Sequence, residues 1–219
     1  MLRRLIAVSL ACACTSPALA LAGDSPWSLG LRAGMSTADG EPSNDAYTMG
    51  LALRYRLGAG SYAGAALERM QFDFERPWRI VGVEQDKAVE SEDIDAAASS
   101  VGISVFYERH FGAAGARWIP YLSAALAVAS PDVDAVTGPA AGGSTFDMRT
   151  DPGTEVIPGV RGGYRWNFGA AWSADFSVSV NHHLADWKVE DRQSGNTGKV
   201  DNYTHYGAQL GLVYRFGAR

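Results

Sequence analysis

Two consecutive histidines, His182 and His183 in "NHHLADW", are the residues of this chain best suited to proton transfer. A hydrolytic site would set a nucleophilic serine beside its histidine base. Two residues beyond His183 lies Ala185, not a serine, and no triad or metal-ligand spacing accompanies the pair, so catalysis would need a distant partner. His110 and His205 stand alone in sequence and read as structural. The glycines of "GAGSYAG" lack the spacing of a dinucleotide loop and read as a turn. No catalytic residue, cofactor or metal site is therefore assigned. The other chemically capable set is six arginines, Arg32, Arg54, Arg56, Arg161, Arg165 and Arg215, with Glu108 and Asp175 as the main carboxylates and Asp73, Glu68 or Glu155 as further partners. Gathered in one low-dielectric space they must pair, so they predict a network of ion pairs and hydrogen bonds; an arginine-lined anion path is the alternative.

The elements that carry these residues alternate with period two. In "WSLGLRAGMS", Trp27, Leu29, Leu31 and Met35 oppose Arg32 and glycines; in "YTMGLALRYRL", Tyr47 to Leu57 oppose Arg54 and Arg56. The run "YAGAALERMQFDF" sets Met70, Phe72 and Phe74 against Gln71 and Asp73, with a phase break near Leu67 to Arg69 of the kind a bulge produces. "VGISVFYERHF", "WIPYLSAALAV", "VIPGVRGGYRWNF", "WSADFSVSVNHHL" and "YGAQLGLVYRF" complete eight runs. After runs two, four and six come short small-residue links; after runs one, three, five and seven come long polar ones. That rhythm predicts an eight-stranded antiparallel up-and-down β-barrel with turns on one rim and four long, acidic loops on the other.

Which face points outward follows from lysine. Lys87, Lys188 and Lys199 all lie in the long loops. A water-facing barrel would use lysine freely on its strands, so the greasy face meets lipid and the polar face lines the lumen, with His183 in its upper part. Aromatics cluster at strand ends: Trp27, Tyr55, Tyr62, Tyr107, Phe111, Trp118, Trp166, Phe168, Trp172, Tyr214 and Phe216 near the turns, and Tyr47, Phe72, Phe74, Trp78, Trp187 and Tyr203 near the loops. They predict two interfacial girdles. Arg109 breaks the pattern by falling on the lipid face, close enough to a turn to snorkel.

The start, with Arg3 and Arg4, an apolar stretch and Ala20-Leu21-Ala22, reads as a secretory signal peptide over residues 1–22, leaving 23–219 as one barrel domain without Cys12 and Cys14. The formal charge of the whole chain is −5, and losing two arginines makes the remainder more negative still, which disfavours nucleic acid as a partner.

On "YERHFGAAGARWIPYLSAALAVA", "GVRGGYRWNFGAAWSADFSVSV" and the closing "LVYRF", the chain resembles the small outer-membrane β-barrel family, which includes the membrane domain of OmpA, OmpX and opacity-type proteins. The resemblance implies residence in the cell outer membrane among its lipids and lipopolysaccharide. It also implies an assembly signal, matched by Tyr214 and Phe216, for the barrel-assembly machinery, although Gly217, Ala218 and Arg219 follow it. The expected role is non-enzymatic: membrane integrity or surface contact through the loops, by a protein expected to be monomeric. The alternatives are a narrow pore or an OmpW-like conduit for small molecules, and then a lipid A-modifying enzyme.

Overall fold

The computed structural model describes residues 25–39, 43–78, 92–113, 116–139, 145–193, 195, 197–200 and 202–218. The expected signal peptide lies outside them.

Eight long strands close a barrel: β1 (Trp27–Asp39), β2 (Ser43–Gly58), β3 (Ser61–Trp78), β4 (Glu92–His110), β5 (Trp118–Val133), β8 (Glu155–Asn167), β9 (Trp172–His183) and β12 (Tyr203–Arg215). Each pairs antiparallel with its sequence neighbour in the barrel, and β12 returns to β1, from Ser28↔Arg215 to Asp39↔Thr204. Closure leaves no unpaired barrel edge, the condition for strands to cross a bilayer. Four short strands, β6 (Val136–Pro139), β7 (Thr145–Asp151), β10 (Trp187–Asp191) and β11 (Thr197–Val200), form a second sheet in the order β11-β10-β7-β6. This sheet was not expected: it occupies the stretches read as the third and fourth long loops, and it carries Lys188 and Lys199, which therefore lie in strands, though not in the barrel.

The outer face is apolar, with Leu31, Met49, Leu53, Ile103, Val105, Leu122, Leu126, Val160, Val178, Leu210 and Leu212 all exposed. The inner face buries Ser28, Arg32, Arg54, Ser104, Glu108, Arg165, Asp175, Ser177, Ser179 and Gln209. A protein in water would have these two faces exchanged.

Three expectations are corrected. First, β3 runs in unbroken register with β4 from Ser61↔Arg109 to Trp78↔Glu92, with no bulge near Leu67, so Met70 and Phe72 point inward and Gln71 outward. Second, of the described residues expected in the loop-end girdle Tyr47 is exposed, while Phe72, Trp187 and Tyr203 are buried. They join Ala46, Ala96, Ala98, Val133, Met148, Val189 and Val200 in one apolar cluster between the barrel's inner wall and the loop sheet. The physical reason is common to both corrections. Above the bilayer the strand exteriors meet water and the interior becomes an ordinary protein core, so the inside-out rule reverses. Third, the first loop is not long, because β1 and β2 are separated only by residues 40–42. Residues 79–91 of the acidic stretch from Glu75 to Ala98, the Asp73 side chain and the Phe74 and Trp78 rings lie outside what is described.

Candidate functional site: the polar lumen and its two closures

Inward positions alternate along each strand, so residues two apart share the lumen face, and β4 supplies both Glu108 and His110. Cross-strand register then gathers their partners. Arg165 on β8 sits directly opposite Asp175 on β9. Near the turn end, Arg165 Nη2 donates to Glu108 Oε1 at 2.9 Å and to Asp175 Oδ2 at 3.1 Å. The Tyr121 hydroxyl donates to Asp175 Oδ1 at 2.7 Å, and His110 Nε2 lies 2.6 Å from Glu108 Oε1. Arg54 Nε approaches Glu108 Oε2 at 3.6 Å, and the Arg54 guanidinium lies 5.7 Å from the centre of the Phe106 ring. Two cations, two carboxylates, a phenol and an imidazole thus fill the section, making the first closure. Glycine makes room for it twice. A Cβ at Gly30 would collide with Arg54 Nη1, and one at Gly64 would collide with the Phe106 ring.

Above this layer lies a cavity of about 90 Å³, bordered by Arg32, Glu68, Arg161, Asn181 and Gln209 on one side and by Ser100, Gly102, Ala125 and Ala127 on another. Arg32 and Arg161 share Glu68, at 2.9 and 3.5 Å. Gln209 Nε2 donates to Thr48 Oγ1 at 3.2 Å.

The second closure lies at the loop end. Glu155, wholly buried, accepts from His183 Nδ1 at 2.8 Å and from the Tyr203 hydroxyl at 3.0 Å. The His183 and Tyr203 rings stack at 4.4 Å, and His205 lies 4.9 Å from His183. Ser36 Oγ and His205 Nδ1 are 3.0 Å apart. The apolar cluster beneath the loop sheet continues this layer outward.

The arginines expected in the lumen divide into two groups. Arg32, Arg54, Arg161 and Arg165 lie inside against carboxylates. Arg56 and Arg215 have the right parity but the wrong height. Arg56 is exposed, and Arg215, half-buried, donates to the Gly169 carbonyl oxygen at 3.3 Å; neither forms an ion pair among the described residues. At the turn end the lumen is open to water, so these cations need no buried counter-ion. Arg109 is exposed on the outer face and donates to the Ala59 carbonyl oxygen at 3.1 Å. Tyr214 and Phe216 meet edge-to-face at 5.3 Å beside the turn rim, where Trp172 packs on Tyr214 at 4.8 Å.

His205 is not isolated as its sequence setting suggested. Inward parity on β12 brings it to Ser36 on β1, a contact between residues 169 positions apart. A hydroxyl against an imidazole can act as nucleophile and base, but Ser36 and His205 are only 9% and 1% exposed. Enclosed in this way, the pair forms a buried contact that ties β12 to β1. Among the described residues no group of three or more His, Cys, Asp or Glu side chains is placed to hold a metal ion.

A closed eight-stranded barrel, apolar outside and ionic inside, is the architecture of the small outer-membrane β-barrels, and this chain has that fold, which places it in the cell outer membrane. Its backbone superposes on Neisserial surface protein A with a TM-score of 0.52 at 17% identity, over 89% of this chain and 99% of that one. It also matches the outer membrane protein OprG from Pseudomonas aeruginosa (TM-score 0.55, 12% identity, 90% and 99% covered). A third match is a major outer membrane protein from Thermus thermophilus (TM-score 0.51, 12% identity, 87% and 99% covered). At such identities the likeness is one of fold. No protein-family model matches the sequence, and comparison with curated proteins gives no significant match.

Proposed function

We propose that the protein is a non-enzymatic, non-conducting barrel that holds a folded platform at the cell surface, with the turn rim in the periplasm and the loop sheet outside. The observation that carries this reading is the loop sheet itself. Two loops far apart in sequence pair through β7 and β10, and Trp187 and Val189 on β10 are wholly buried beneath them. A loop serving only to connect strands has no need of a core of its own; a surface that contacts a partner or neighbouring lipopolysaccharide gains from being held in one shape. The non-conducting part of the reading is supported by two stacked closures with a cavity of about 90 Å³ between them. The pore and conduit readings need both closures to move. In this reading Tyr214 and Phe216 are the terminal aromatics offered to the barrel-assembly machinery. The test is planar-bilayer recording of the folded mature chain. We expect no reproducible unitary steps, and steady ion channels from a homogeneous preparation would overturn the non-conducting reading.

A further inference from the structure

Outside the lumen the described carboxylates gather at the loop end, where they mix with the exposed cations Arg149, Lys188, Arg192 and Lys199. At the loop end the described carboxylates include Asp45, Asp132, Asp134, Asp151, Asp186 and Glu190, all exposed or half-buried. At the turn end stand Arg56, Arg109, Arg117 and Arg215, and among the described residues no carboxylate lies there outside the lumen. Arg56 and Arg215 share the inward parity of the lumen mouth. Arg109 and Arg117 are different: Arg109 is exposed on the outer face of the wall, and Arg117, exposed just before β5, carries its guanidinium over the Trp166 ring, both within the aromatic girdle at the turn end.

Each of these two guanidinium groups is held in place on one side. Arg109 Nη1 is anchored by the Ala59 carbonyl oxygen and Ser61 Oγ, beside exposed Tyr107 and Phe111. The Arg117 guanidinium lies 5.5 Å from the centre of the Trp166 ring, which is itself stacked on Trp118 at 5.7 Å and 14°. A guanidinium held over an aromatic face by cation–π attraction still has N–H donors to offer. No side-chain donor of Arg117 meets an acceptor among the described residues. Aromatic girdles mark the depth of lipid headgroups, and a fixed guanidinium fork there matches a phosphate ester by charge and bidentate geometry.

We propose that Arg109 and Arg117 form two separate phosphate positions that retain anionic phospholipid headgroups in the leaflet at the turn end, one on the β3–β4 side and one on the β5–β8 side. Lipids on these positions would clamp the barrel at a fixed depth. The proposal needs only that the barrel spans a bilayer, so a conducting barrel would leave it standing.

The test is tryptophan quenching of the mature chain, reconstituted with brominated phosphatidylglycerol or brominated phosphatidylcholine as the minor lipid. Trp118 and Trp166 report locally. Each fixed cation contributes about a fivefold preference for an anionic headgroup at low salt, so the wild type should favour phosphatidylglycerol by about that factor at each site, and less at high salt. The double variant Arg109→Gln/Arg117→Gln should bring the ratio close to one. Arg56→Gln/Arg215→Gln, at the lumen mouth, should leave it near the wild-type value. Heat-modifiable gel mobility checks folding, and either single variant should show a partial loss, so misfolding of the double variant does not remove the test. A wild-type ratio near one, a ratio unchanged in the folded Arg109→Gln/Arg117→Gln barrel, or an equal loss in the mouth pair would overturn the proposal. So would complete displacement of the lipid by inorganic phosphate at matched ionic strength, which would make these free-phosphate positions.

Discussion

Replacing Glu108 with glutamine puts the lumen closure to a quantitative test. The change keeps the side-chain shape and removes one negative charge from a position that is 2% exposed. Arg165 loses one carboxylate and keeps Asp175 at 3.1 Å. Arg54 loses the one carboxylate within ion-pair reach among the described residues, and its Nε and Nη1 already lack hydrogen-bond partners there. Removing one partner of a buried pair typically costs ~3–5 kcal/mol, because the other charge is left uncompensated. The Phe106 ring retains part of Arg54's stabilisation, about 2 kcal/mol. Because the glutamine oxygen still accepts from Arg165, we expect a net loss of about 3 kcal/mol, at the low end of that range. Urea titration in phospholipid vesicles, followed by tryptophan fluorescence and by gel mobility, should show a lower midpoint with unchanged slope. Adding Arg54→Met, which removes the orphaned cation, should then recover about 2 kcal/mol, since an apolar replacement for a buried ion pair is often neutral or better. If Glu108→Gln costs less than about 1 kcal/mol, the scale of an exposed pair, or if Arg54→Met deepens the damage, charge pairing is not what holds this layer.

Two further outcomes follow from the loop end and the last strand. Trp187→Ala removes the largest wholly buried side chain under the loop sheet, worth ~3–5 kcal/mol locally. Limited proteolysis should then cut between β10 and β11 while the barrel keeps its heat-modifiable mobility; loss of both together would show that cap and barrel are one cooperative unit. Tyr214→Ala with Phe216→Ala should lower the folded fraction in cells by several-fold at unchanged synthesis, since their rings pack at the turn rim where β12 meets β9 and β1. Pulse-chase by gel mobility measures it, and wild-type assembly would remove these residues from the signal.

How much was readable beforehand depended on height along the barrel. Within the bilayer, parity alone placed residues correctly: Leu210 and Leu212 face lipid, Gln209 faces inward, and Glu108 and Arg165, both inward, reach each other across the lumen. Above the bilayer the same rule misled. Met70 and Phe72 are apolar because they face a protein core, and Trp187 and Tyr203 are aromatic for the same reason. Arg56 and Arg215 had correct parity, but a period-two pattern carries no depth coordinate. The loop sheet did leave one trace, since Trp187, Val189 and Asp191 alternate with Lys188 and Glu190 in a clean inside-outside pattern. Strands as short as Val136–Pro139 offer too few residues for such a pattern to stand out. The contact of Ser36 with His205 was beyond any local signal, because it arises only when the last strand meets the first.

The ladder between β7 and β10, from Lys188↔Asp151 to Asp191↔Met148, also constrains how this surface can change over time. Exposed loops ordinarily vary one by one. Here a substitution on the buried side of either strand alters the seat of the other, so the two loops must drift as a pair. Tolerated variation should concentrate on outward positions such as Lys188, Glu190 and Lys199, where a partner would read the sheet without disturbing its footing.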